Sequence, residues 1–420
     1  MITIEQAIKT VKEQLPERRA EERLLTESLG YFLAEEITAP EPLPRFNNSA
    51  MDGYAIALDL NSPPELPLRL PVIGESQSGI PYQEELQLGE AIRISTGAYV
   101  PEGTSLVAPV EDTDNGDSEV TIDKIGEQYS YVRFAGEEVG VGDTIAKKYD
   151  KITPPILSWL AGFGIQRVKV FSKPKVAVLT TGQELVDIGA ELKPGQIRNT
   201  NQLYFESYLR NMGNEPVYSS QIPDSLSETE SILKEASETA DIILLSGGVS
   251  VGPHDHVKEA AVAIGFERHF WQVKQKPGKP LYFASMGEEL LFGLPGNPVS
   301  TLMSTLVYVY PAINSLAGNP DSNLASIPAF LDQSYTRRKA GRAQYLLVKI
   351  VRQDDSGYKI EPVGHQRSHM MSGVTESDGF IVIPVGTNEV PMDKKQTVYL
   401  YPWTDLTSEY EDKGTIRWDI

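Results

Sequence analysis

Two polar glycine loops and one lysine-bearing turn hold the residue types that could retain an anion. The loops are Thr180-Thr181-Gly182-Gln183-Glu184 and Ser246-Gly247-Gly248-Val249-Ser250-Val251-Gly252, the second followed by Asp255. Glycine lets backbone N–H groups approach phosphate oxygens closely, although a ligand-free turn uses the same residues. Glu184 and Asp255 would repel an anion unless a divalent cation bridges it. Mg²⁺ takes one or two carboxylates together with substrate phosphate oxygens; the alternative is that each carboxylate caps a helix or accepts loop N–H groups. In Lys276-Pro277-Gly278-Lys279-Pro280 the prolines restrict the backbone and Gly278 permits a tight turn. Its lysines could converge on one anion as point charges, or lie solvated on a surface turn. Gly293-Leu294-Pro295-Gly296-Asn297-Pro298 opens a helix, with Asn297 at the N-cap and Pro298 at the first helical position. That helix N-terminus could also face a ligand.

The N-terminal half offers Asn47-Asn48-Ser49-Ala50-Met51-Asp52-Gly53-Tyr54, Ser95-Thr96-Gly97-Ala98 and Gly136-Glu137-Glu138. Polar loops with carboxylates often carry function, but Asp52-Gly53 is also a common turn dipeptide. The five histidines are scattered. His254-Asp255-His256 does not present one face of a helix, and no Ser/His/Asp order follows from spacing alone.

Elements must bring these loops together. Residues 174–320 alternate strand and helix with short connectors, which predicts a parallel α/β sheet. Lys175–Leu179, Pro216–Ile222 and Asp241–Leu245 read as strands, with helices over Asn201–Met212, from a Ser225-x-x-Glu228 capping box to Thr239, and over His256–Ile264. Leu281–Ala284 and Glu289–Phe292 add strands. In such sheets ligands bind beyond the carboxyl ends of the strands, where both glycine loops fall. Residues 54–138 show short apolar stretches between turn signals, a small antiparallel β-domain. Residues from about 325 onward return to strands and predict a β-barrel or sandwich. The first 35 residues read as helix, clearest up to Pro16. Prolines 40, 42 and 44 predict an extended connector.

The chain has 420 residues, 46.4 kDa, a net charge of −20 and no cysteine. At roughly 100–200 residues per domain this favours two to four domains. Missing thiols exclude disulfide scaffolds, thiolate zinc sites, iron–sulfur clusters and cysteine nucleophiles. The acidic balance argues against nucleic-acid and anionic-membrane partners, and no apolar run reaches membrane-span length. A cytoplasmic location is expected. Any anionic ligand must be held by local cations, amides or a bound metal, against the global field.

The motifs PRFNNSAMDGYA (44–55), STGAYVPEGTSLVAPVE (95–111), TTGQEL (180–185), PGQIRNTN (194–201), SGGVSVGPHD (246–255), KPGKP (276–280), GLPGNPVS (293–300) and GHQRSH (364–369) resemble, in order and spacing, the molybdopterin molybdotransferase family. That family comprises bacterial MoeA proteins, the plant molybdenum insertase E domain and the gephyrin E domain. The resemblance implies a fold of class α/β plus β in four domains: a discontinuous helical/linker domain (1–51 and 139–173), a β-rich domain (52–138), a three-layer α/β molybdopterin-binding domain (174–322) and a C-terminal β-barrel (323–420). It implies a homodimer whose cleft lies between the α/β domain of one subunit and the β-rich domain of the other. The implied reaction is Mg²⁺-dependent insertion of molybdate into adenylylated molybdopterin, releasing AMP.

Implied catalytic positions are Asp52, Thr96, Glu138, Glu184, Asp224, Asp255, Lys276 and Lys279. Implied substrate contacts are Thr181, Gly182, Ser246, Gly247, Gly248, Ser250, Gly252, Pro295, Gly296, Asn297, Pro298 and Ser372. Glu184 and Asp255 would hold the metal. Other molybdenum cofactor synthesis proteins are implied as partners. Glu138, Gln183, Leu347 and Arg367 depart from the family pattern, and they keep a second reading open: a dimeric scaffold that binds the pterin or a partner protein with little or no catalysis. A molybdopterin adenylyltransferase is a third reading, opposed by the first 170 or so residues, which such proteins generally lack.

Overall fold

The computed structural model describes residues 1–62, 64–249, 256–354 and 357–406. Their contacts divide the chain into two compact units: residues 1–22, 30–34 and 169–420 form one, and residues 23–29 and 35–168 the other. Among the described residues no helix is long and apolar enough to cross a membrane.

The larger unit is built on a six-stranded sheet. Its order is Pro216–Ile222, Val176–Thr181, Ile242–Ser246, Glu289–Leu294, Tyr282–Met286, Glu267–Trp271. The first four strands are mutually parallel, and Tyr282–Met286 runs antiparallel to both of its neighbours. Side chains alternate across a strand, and the apolar runs use both faces. Val176, Val178, Ile242, Leu244, Leu290 and Phe292 enter one core with Phe205, Leu209 and Leu302. Ala177, Leu179, Ile243, Leu245 and Leu291 enter a second core with Leu233, Ala236, Ala260 and Ala261. The helix pair Thr200–Asn211 and Pro298–Ser304 thus covers one face, and Leu226–Thr239 with Val257–Ala263 covers the other. This is the expected three-layer arrangement.

The C-terminal strands close on themselves. Ala343–Asp354 pairs with both Gly357–Pro362 and Gly379–Ile383, while Ser326–Leu331 and Gln396–Leu400 complete the ring. Leu346, Val348 and Ile350 fill the barrel. Tyr345 and Leu347, one residue out of phase, face the large α/β core instead. Leu347, a departure from the family pattern, is therefore a packing residue.

In the smaller unit five strands run in the order Leu106–Pro109, Gly53–Ile56, Ala91–Ile94, Leu68–Ser76, Glu119–Ile122, with apolar clusters on both faces.

Three expectations need correction, the third being the antiparallel β-domain, in which Leu68–Ser76 pairs parallel with Ala91–Ile94. The leading helix is only Ile4–Glu13, opened by a Thr3–Gln6 capping box; Pro16 follows, and Arg19 bonds Asp241 and Glu288 at 2.8 and 2.7 Å instead of extending a helix. Ser225 makes no capping bond to its helix, its hydroxyl lying 3.2 Å from that of Ser227. Asn297 and Pro298 do take the expected N-cap and first helical positions of Pro298–Ser304, although the Asn297 side chain makes no capping hydrogen bond.

Candidate functional site

The carboxyl ends of four parallel strands lie side by side, with Thr180 opposite both Gln221 and Ser246, and Ser246 opposite Leu294. The chain can turn there because its residues are small. Gly247 and Gly248 have φ of +93° and +64°, and a Cβ on either would lie 2.6 Å from Thr181 Oγ1 or Val257. A Cβ on Gly182 would lie 2.7 Å from the Glu184 carboxylate, which folds back over that backbone.

Asn199 and Asn201, at the start of helix Thr200–Asn211, fasten the loops. Asn199 donates to Thr180 Oγ1 at 2.8 Å and accepts from Gln202 N, capping the helix. Asn201 donates to Ser246 Oγ at 2.7 Å and to the Gly296 carbonyl at 2.8 Å. The Ser246 and Thr301 hydroxyls both donate to the Pro295 carbonyl. A polar ring thus ties the second glycine loop to the Pro295–Pro298 segment.

Two clefts share Gly296 and Asn297 in their walls. One, of about 670 Å³, is lined by Thr180, Thr181, Glu184, Arg198, Ser246 and Pro298 among others. The other, of about 500 Å³, is lined by Gly247, Gly248, Lys276, Lys279, Arg342, Arg367, Ser368 and His369. A third, of about 1030 Å³, continues from Lys276, Lys279 and Arg342 to Arg338 and Lys339. Among the described residues no salt bridge engages Lys276, Lys279, Arg342 or Arg367. Four uncompensated cations in one cleft of a chain with net charge −20 make a local anion site against the field of the whole molecule.

The lysine turn itself is rigidly defined. Gly278 has φ of +87°, and a Cβ there would lie 2.9 Å from Gln275 Nε2 and 3.0 Å from Ser304 Oγ. Only glycine fits both the backbone and the space.

The structure brings together Thr181, Glu184, Ser246, Gly247, Gly248, Lys276, Lys279, Pro295, Gly296, Asn297 and Pro298 around these clefts. Gly182 sits beneath them, its carbonyl accepting from Gln221. Asp224 is half-buried after strand Pro216–Ile222 and lines none of the three. Ser372 is exposed on the short helix Ser372–Thr375; Ser368 is the serine that lines the cleft. Asp52, Thr96 and Glu138 belong to the smaller unit. There Asp52 Oδ1 accepts the Thr96 N–H at 2.8 Å, and Glu138 is exposed. Ser250, Gly252 and Asp255 lie outside the described residues. Arg342, Ser368, His369, Asn199 and Asn201 also contribute, none of them expected as a site residue from the sequence; all but Arg342 stand within a quoted motif.

Among the described residues no three His, Cys, Asp or Glu side chains form a metal cage. One carboxylate, Glu184, stands over a glycine at a cleft wall. That donor set suits an ion completed by substrate oxygens and water, as Mg²⁺ prefers.

Comparison with known proteins gives three family matches along the chain. They are "MoeA N-terminal region (domain I and II)" over residues 2–164, "Probable molybdopterin binding domain" over 177–315 and "MoeA C-terminal region (domain IV)" over 333–400. A molybdopterin molybdenumtransferase of Haemophilus influenzae is 35% identical over 97% of this chain and 100% of its own length. One from Bacillus subtilis is 30% identical over 97% of each. The crystal structure of a molybdopterin biosynthesis MoeA protein from Pyrococcus horikoshii superposes with a TM-score of 0.81 at 28% identity, covering 95% of this chain and 99% of that one.

Proposed function

Starting from the fact that this chain belongs to the MoeA family of molybdopterin molybdenumtransferases, enzymes of molybdenum cofactor biosynthesis, we propose that it inserts molybdate into adenylylated molybdopterin and releases AMP. The observation that carries this reading is the cleft in which Lys276, Lys279, Arg342 and Arg367 form no salt bridge among the described residues, next to a cleft walled by Thr181, Glu184 and Ser246. Lys276 and Lys279 neutralise oxyanion charge. The Thr181 hydroxyl and the amides of the glycine loops hold phosphate oxygens, while Ser246, whose hydroxyl donates to the Pro295 carbonyl, holds the second loop in place. A molybdate oxygen attacks the pterin-side phosphorus: a new P–O bond forms, the anhydride P–O bond breaks and AMP leaves with the electron pair; the two dithiolene sulfurs then bond molybdenum as their protons leave and the Mo–O(P) bond breaks, returning the pterin phosphate. The protein's contribution is positioning and charge stabilisation.

Glu184, with Asp255, would hold Mg²⁺ together with substrate phosphate oxygens. Bound there, the ion would offset the carboxylates' repulsion of the nucleotide. Asp52 and Thr96 are assigned to the same cleft from the other subunit of a homodimer.

The test is AMP release from adenylylated molybdopterin with molybdate and Mg²⁺. Turnover is expected, with loss on chelation and in Lys279→Ala. A wild-type protein with no release above background rejects the reading.

A further inference from the structure

We infer that Gln275 is the positioning residue of the lysine turn: wedged between two buried tyrosines, its side chain sets where the ammonium groups of Lys276 and Lys279 meet the oxyanion. This rests on the reading above, in which those lysines hold the oxyanion.

Gln275 is fully buried, directly before Lys276. A buried primary amide must satisfy two donors and an acceptor. Its Nε2 donates to the Gly278 carbonyl at 2.8 Å. Its Oε1 accepts from Tyr308 OH at 2.6 Å and from Tyr345 OH at 2.9 Å. The orientation follows from the partners: the Gly278 carbonyl can only accept, so Nε2 must face it, and both phenols must then donate to Oε1. Burial raises the pKa of both phenols, which keeps them protonated donors near neutral pH.

The three partners come from three elements. Gly278 is the apex of the turn. Tyr308 belongs to the wide helical segment Thr305–Val309, and Tyr345 to the long barrel strand. The Gln275 main chain is held as well. Its N–H donates to Val273 O at 2.8 Å, its carbonyl accepts from Arg342 Nη1 at 3.4 Å, and it pairs in register with Ala343. The Gly278 backbone packs directly against the amide, where even a methyl group would clash. The turn's apex is therefore fixed by a side chain outside the cleft. Lys276 pairs in register with Gln344 and the Lys279 carbonyl accepts the Val273 N–H at 3.0 Å, but their exposed side chains make no hydrogen bond or ion pair among the described residues. Oriented charge is worth far more than mobile charge in stabilising a transition state.

A core-packing role alone would move stability and all kinetic constants together. The positioning role moves the oxyanion constants selectively. The experiment measures KM for molybdate, KM for the pterin nucleotide and kcat on wild type, Gln275→Leu, Tyr308→Phe and Tyr345→Phe, with molybdate binding by equilibrium dialysis. In Gln275→Leu the molybdate KM should rise about tenfold or more, with the nucleotide KM within about twofold. Each Tyr→Phe variant should shift the molybdate KM the same way by a smaller factor. A folded Gln275→Leu whose molybdate KM stays within about twofold of wild type, or whose two KM values rise in parallel, overturns the assignment. If Gln275→Leu does not fold, the tyrosine variants decide, and an unchanged molybdate KM in both overturns it. If wild type releases no AMP, the functional reading fails while dialysis still decides here: weaker molybdate binding in the variants supports the assignment and equal binding overturns it. Wild type that binds no molybdate overturns both.

Discussion

Asp52 has one observed contact and one proposed role, and a substitution can separate them. Its Oδ1 accepts the Thr96 N–H and so holds the turn between Ala91–Ile94 and the loop before Gly53. Its negative charge is the part assigned to chemistry. Asp52→Asn keeps a carbonyl acceptor of the same shape and removes the charge; Asp52→Ala removes both. Asp52→Asn should keep the wild-type thermal midpoint while AMP release falls about 10²-fold, and Asp52→Ala should lose both. A fully active Asp52→Asn would leave the carboxylate with a purely structural role. The sequence makes each of the two residues noticeable on its own, but their bond spans 44 positions, and no local pattern reports a contact of that range. The same limit applies at the cationic cleft. Lys276 and Lys279 are legible as a local basic turn, whereas Arg342 and Arg367 reach it only through the closing of the barrel. Gln275 looks like an ordinary polar residue until Tyr308 and Tyr345 are seen on its amide.

Elements were legible where one periodicity dominates. Strand Pro216–Ile222 has its expected bounds, and Ala91–Ile94 and Leu106–Pro109 coincide with apolar stretches of the 54–138 region. Strand Glu267–Trp271 was hidden, because an edge strand keeps one side wet and its Glu-Arg-His sequence shows no apolar run. The leading helix was overextended because propensity cannot anticipate the ion pairs that Arg19 makes across the sheet unit.

Packing these elements buries a layer of phenols. Tyr204, Tyr208, Tyr308, Tyr345 and Tyr401 all lie in or against one core. Burial raises each phenol pKa, that of Tyr401 to about 12. The folded protein holds these protons to higher pH than the unfolded chain, whose phenols titrate near 10. Stability is therefore complete below about pH 10 and declines as pH rises through the folded values, by about 1.4 kcal/mol per pH unit for each phenol. Tyrosinate absorbance and circular dichroism followed together from pH 8 to 12 should show these five ionising only as the structure is lost. Their titration near pH 10 with secondary structure intact would refute this.

At the scale of the whole molecule, Asp52 and Thr96 belong to one compact unit and Lys276 and Lys279 to the other. If each working cleft combines the smaller unit of one subunit with the larger unit of its partner, the Asp52 and Lys279 lesions sit in different halves of each cleft. A homodimer has two such clefts related by its two-fold axis. In a mixed dimer of Asp52→Ala and Lys279→Ala chains, one cleft receives both lesions and the other receives neither. Random exchange makes half of the dimers mixed, and half of their clefts are intact, so activity should return to about a quarter of wild type from two nearly inactive parents. Had both residues served a cleft within a single chain, every cleft in the mixture would carry one lesion and nothing would return. The measurement is AMP release after co-refolding or co-expression at equal amounts, with sedimentation confirming that dimers form. Sedimentation as a monomer at assay concentration, or a mixture no more active than its parents, would remove the shared cleft and with it the role given to Asp52 and Thr96.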